Sequence, residues 1–154
     1  MWRNEAAGAA SIETPNKGMD DMNFSKLSQN DRLTLGAGAI VVVTALLSIS
    51  NEWGALMVLS LAAGAGAIAV VLLPIVSPAT TLPVTKATAI LGLGAVATVA
   101  TGLSGLNWLG WIVEHFARFD TIQFLTGLAA AVVLAVIGFQ GFQAERATAI
   151  PPAA

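Results

Sequence analysis

Four stretches of this 154-residue chain run for about 17 residues or more without a charged side chain, and polar, charged or proline-rich segments separate them. They extend from Leu33 to Ser50, Gly54 to Val76, Ala87 to Leu103 and Thr121 to Phe142. About 20 apolar residues in an α-helix cross the roughly 30 Å hydrocarbon layer of a bilayer, so the pattern predicts four transmembrane helices. The third is the most polar, with Thr88, Thr98 and Thr101, and prolines punctuate the LPIVSPATTLPV stretch leading to it. Ser28, with Asp31 three residues on, gives the first helix a start resembling a capping box. Ser48 and Ser50 sit before Asn51 at the spacing of a signal-peptidase site, but the 32 residues ahead of the apolar run favour a retained span.

Between the third and fourth spans lies NWLGWIVEHFARFD, residues 107–120. Taken as one helix over about 107–119, it places Trp108, Trp111, Ile112, Phe116 and Phe119 on a broad apolar face, and Glu114 and Arg118 opposite, four residues apart. Asn107 is suited to cap its start. That is the pattern of a short amphipathic helix lying in the membrane interface. The expected organisation is therefore a flexible N-terminal segment (1–24), a four-helix transmembrane domain (25–143) and a flexible C-terminal tail (144–154).

The spans repeat. Residues 35–51, LGAGAIVVVTALLSISN, align without gaps to residues 91–107, LGLGAVATVATGLSGLN, with eight of 17 positions identical at an offset of 56. The second and fourth spans align at an offset of 66, LSLAAGAGAIAVV against LTGLAAAVVLAVI, so the second hairpin carries about ten additional residues. The expected fold is thus all-α: two hairpins repeated in parallel orientation, related by an axis along the membrane normal, with the interfacial helix inserted in the second.

Helices in lipid associate through close packing at small residues and through interhelical hydrogen bonds. Gly64 and Gly66 in the second span, Gly94, Thr98 and Gly102 in the third, and Gly127, Ala131 and Ala135 in the fourth are the expected packing positions. Gly38 is followed four residues later by Val42, a poorer ridge.

Composition strengthens the membrane reading: 56% of the residues are hydrophobic, 10% are charged, and mean hydropathy is +0.77. Cysteine and tyrosine are absent. An even number of spans puts both termini on one side, where Arg3, Lys17, Lys26, Arg32, Lys86 and Arg146 fall, whereas Arg118 stands alone opposite them among Glu52, Glu114 and Asp120. The positive-inside rule then predicts a multi-pass protein of the plasma or inner membrane with cytoplasmic termini. Trp53, Trp108 and Trp111 fall on the outer side as interfacial anchors.

Candidate chemistry is sparse. No Asp or Glu lies inside a span, which argues against a proton-coupled pump. The glycines sit in apolar helices rather than in a phosphate-binding loop, no basic patch suits nucleic acid, and no serine in a span has a nearby base. Glu114, His115 and Asp120 could be taken as a metal or acid–base cluster, but adjacent Glu and His point about 100° apart on a helix, and no second imidazole exists. His115, the sole histidine, is a weak candidate axial ligand to a haem or chlorin. No catalytic residue, metal or cofactor is expected.

The run SLAAGAGAIA resembles the glycine-rich helices of rotary ATPase proteolipids, which carry a mid-membrane carboxylate that this chain lacks. LSQNDRLTLGAGAI resembles the start of small uncharacterised prokaryotic membrane proteins built from transmembrane hairpins, and the duplicated plan is similar to that of SPW-repeat proteins. Where each unit of those proteins carries Ser-Pro-Trp, this chain reads SISNEW and SGLNW, without the proline. The resemblance implies four spans and no particular activity. The expected function is a non-enzymatic scaffold or accessory subunit whose partners are the bilayer and other integral-membrane subunits or further copies of itself. The alternatives are a homo-oligomeric pore, channel or holin-like protein and, more weakly, a pigment- or haem-binding subunit.

Overall fold

A computed structural model describes residues 27–50, 55–77 and 79–149. Trp53 and the segment 1–24 lie outside the described residues. All regular structure among those described is helical: α1 (Gln29–Ser50), α2 (Leu56–Val76), α3 (Lys86–Asn107), α4 (Leu109–Glu114) and α5 (Phe119–Ala149). Every one of these except α4 is long and apolar enough to cross a membrane. The chain is a multi-pass membrane protein of bundled helices.

Local chemistry sets the helix ends. The Ser28 hydroxyl accepts from the Asp31 backbone N–H at 3.2 Å, satisfying a free donor of the first turn of α1. Thr85, extended at φ −64° and ψ 151°, does the same for Thr88 at the start of α3. Pro74 lies in the last turn of α2, where its missing N–H costs little further helix, and Ser77 closes the end by donating to the Leu73 carbonyl at 2.8 Å.

α1 packs on α2 and α5, and α3 packs on α5 and α2, so the long helices form a square in which each touches two neighbours. The core is built of small side chains: Ala37, Val41, Ala63, Ala67, Ala97, Ala130, Ala131 and Leu134 form one buried cluster. Glycine sets the spacing at the tightest crossings. A methyl group on Gly94 would stand 2.5 Å from the backbone nitrogen of Ala135, and one on Gly138 would strike the backbone of Leu91. Gly38 and Gly64 face each other between α1 and α2, each with room for a carbonyl oxygen where a side chain would begin. Gly38, despite the valine four residues on, is thus a closer contact than its sequence neighbourhood predicts.

The inward stripes of the two hairpins correspond. Thr34, Ala37, Gly38, Val41, Ala45 and Ser48 face inward on α1; at an offset of 56, Ile90, Leu93, Gly94, Ala97, Thr101 and Ser104 do so on α3, only Leu93 being less than fully buried. The buried stripe of α2 (Met57, Ser60, Ala63, Gly64, Ala67, Val71) meets that of α5 at an offset of 67: Phe124, Gly127, Ala130, Ala131, Leu134 and Gly138. The burial register is therefore one residue away from the letter-by-letter alignment at 66. Identity among alanines and valines is insensitive to a one-residue slip, whereas a helix face turned by 100° is not.

Two boundaries differ from those read in the sequence. α5 continues as helix through residues 144–149 instead of loosening after residue 143. There Thr85 donates to the Glu145 carboxylate at 2.7 Å and the Arg146 guanidinium lies 4.4 Å from the centre of the Phe142 ring, which ties the extension to α3 and to its own preceding turn. The inserted helix is also shorter than residues 107–119: Asn107 closes α3, Trp108 precedes α4 without a side-chain cap, and α4 ends at Glu114. The His115 carbonyl accepts from both the Arg118 N–H and the Thr121 hydroxyl, each at 3.0 Å, which turns the chain out of α4 and into α5.

Candidate functional site

The segment from Trp108 to Asp120 closes the end of the bundle opposite the start of α1 and the end of α5. Because α4 has only six residues before the chain turns, its apolar residues do not share one face. Ile112 is buried and joins Met57 of α2 and Phe124 of α5 in a second core cluster, with Trp111 and Leu125 packed against it. Trp108, 38% exposed, meets Trp111 edge-on, the ring centroids 6.4 Å apart at 85°. Phe116 and Phe119, at 64% and 73% exposure, point away from the bundle together with Val113 and Leu109. The anticipated anchor residues thus divide into an inward plug and an outward aromatic edge. Helical periodicity extended past His115 merges the two.

Trp111 is the hub of the polar side. The His115 ring stacks on it at 4.9 Å and 18°, and the Arg118 guanidinium lies 5.6 Å from the ring centroid. His115 Nδ1 is 3.1 Å from the Trp111 carbonyl oxygen. Since a carbonyl only accepts, Nδ1 is the donor in this contact. The Glu114–Arg118 helical pair expected from sequence does not form, because the helix ends between them; Arg118 instead lies 4.0 Å from Asp120. Among the described residues no group of three His, Cys, Asp or Glu side chains is placed to hold a metal ion. The stack makes His115 a strut for the plug.

Behind the plug lies a polar cluster that the sequence reading did not single out. The Ser60 hydroxyl on α2 is 2.7 Å from that of Thr101 on α3 and donates to the Ala97 carbonyl at 3.1 Å. Gln123 on α5 donates to the Thr44 carbonyl on α1 at 3.2 Å and reaches the Ser48 hydroxyl at 3.5 Å. Ser104 is buried, and its hydroxyl has no partner among the described residues. The cavity bounded by Thr44, Ser48, Ser60, Thr101 and Phe124 measures only about 10 Å³, at the limit of what one water needs. The available signal was the inward spacing of Ser48 and Ser104 on the repeat, which small apolar residues on either side conceal.

The remaining packing positions fall in different environments. Gly64, Gly127 and Ala131 lie at buried contacts, Gly127 against the Thr44 hydroxyl; Gly66 faces the half-buried Leu93; and Ala135 presents its backbone to Gly94. Thr98 bonds back to the Gly94 carbonyl of its own helix at 2.8 Å. Gly102 has open space where a side chain would begin and takes no part in the α3–α5 crossing.

No protein-family model, curated protein or solved structure matches this chain.

Proposed function

We propose that the chain is a non-enzymatic scaffold or accessory subunit of a larger integral-membrane assembly, built from two duplicated hairpins and docking through the outward edge of the α4 turn. The observation that carries this reading is the division of that turn. Trp111 and Ile112 are committed to the bundle, whereas Phe116, Phe119 and Val113, each more than 60% exposed, form a projecting apolar edge beside Arg118 and Glu114. Large aromatics projecting beside charged groups suit a protein contact at the membrane interface.

Supporting it, the polar cluster inside the bundle, Ser104 excepted, bonds to the bundle's own helices, Ser60 with Thr101 and Gln123 with Thr44. The duplication reading draws on the shared inward stripes, and positive charge near the termini supports a cytoplasmic location for both ends. Extraction in mild detergent followed by mass spectrometry is expected to recover larger integral-membrane proteins in fixed stoichiometry with this chain. A homogeneous homo-oligomer that conducts ions in liposomes would overturn the proposal in favour of a pore.

A further inference from the structure

At the end of the bundle where α1 starts and α5 ends, residues of α1, α3 and α5 line an open groove of about 240 Å³. Its floor is largely apolar, formed by Ala87, Ile90, Ile137, Gly138 and Gly141 with Thr34, whose hydroxyl donates to the Asn30 carbonyl at 2.8 Å, and its rim is polar, formed by Ser28, Asn30, Asp31, Lys86 and Glu145. The volume is far above the 10–15 Å³ or so that a single water requires. The charged rim falls where the charge-free runs of α1, α3 and α5 end, which in a helix that crosses a bilayer is where the headgroup layer begins.

The rim charges are unequally matched. Lys86 Nζ lies 2.5 Å from Asp31 Oδ1, which uses one of its three N–H donors. Glu145, half-buried, accepts only the Thr85 hydroxyl at 2.7 Å and forms no ion pair among the described residues. The groove therefore carries one carboxylate in excess beside an ammonium with donors to spare. Its charge complement is a group bearing an ammonium rich in N–H donors and, a few atoms away, an anionic oxygen.

We infer that this groove is a binding site for an ethanolamine phospholipid of the leaflet facing the termini, with the primary ammonium on Glu145, the phosphate toward Lys86 and Ser28, and the glycerol and first methylenes on the Ile90–Ile137 floor. A choline headgroup has no N–H to give a carboxylate, and a glycerol headgroup has no cation, so headgroup chemistry discriminates this site from ordinary annular lipid. The inference rests on the membrane location of the chain and not on its role in an assembly.

The test uses the full chain purified in mild detergent and titrated with ethanolamine, choline and glycerol phospholipids of identical acyl chains. Lipid retention is read by native mass spectrometry and stability by thermal unfolding. The expected result is retention of one ethanolamine lipid at about tenfold lower concentration than the choline lipid, the weight of one charge-assisted hydrogen bond. That preference should vanish in Glu145→Gln, whose amide oxygen can still accept from Thr85. Equal retention of all three headgroups, preference for the glycerol lipid, or an ethanolamine preference that survives in Glu145→Gln would each overturn the assignment. The headgroup series on the unaltered chain decides the matter even if the variant folds poorly.

Discussion

At the scale of single residues, two glycines one half-turn apart on α3 make opposite demands. Gly94 has the Ala135 backbone where its side chain would begin, and Gly92 has nothing within 4 Å. Gly94→Val should destabilise the bundle by about 3 kcal/mol, because backbone cannot move aside as a side-chain tip can. Gly92→Ala should be neutral or stabilising by up to about 1 kcal/mol. Thermal unfolding in detergent checks both. For the polar cluster, a double-mutant cycle on Ser60 and Thr101 should return a coupling near the ~0.6 kcal/mol average for hydrogen bonds in membranes. Ser104→Ala should cost less than Ser60→Ala, since the Ser104 hydroxyl has no bond to lose. These distinctions were only partly legible in the sequence. Small residues at four-residue spacing marked faces capable of close approach, but Gly94 and Gly102 read alike until the neighbouring helix is present. Gly38 was undervalued because the spacing rule weighs Val42, whereas the actual contact is with Gly64 and Ile68 of α2.

At the scale of elements, the long helices followed directly from their apolar runs, because the length needed to span a bilayer leaves little freedom. The six-residue α4 did not. Its end depends on the His115 carbonyl being taken by Arg118 and by Thr121, an arrangement fixed by where α5 starts and invisible to a periodicity argument. The consequence is testable with two variants that one continuous amphipathic helix would make equivalent. Trp111→Ala removes the stacking partner of His115 and the cover over Ile112 and Met57, and should cost about 3 kcal/mol in unfolding. Phe116→Ser with Phe119→Ser should leave unfolding within about 0.5 kcal/mol and act only on what the edge touches. Equal destabilisation by both variants would mean that the turn packs as one unit.

At the scale of the whole molecule, four long helices form a square whose one end is plugged by the α4 turn. The proposed orientation is accessible because the chain contains no cysteine of its own. A cysteine at Val113 should react with a membrane-impermeant reagent in intact cells, whereas one at Ala144 should react only after permeabilisation. The reverse pattern would place the termini outside. The central claim is that the outward edge of the α4 turn meets a different membrane protein, and a photo-crosslinking residue at Phe116, activated in native membranes, tests it most directly. The account predicts one discrete adduct containing an integral-membrane protein other than this chain, absent when the probe is moved to the exposed Val43 of α1. Adducts with lipid alone, or a ladder of multiples of this chain, would contradict it.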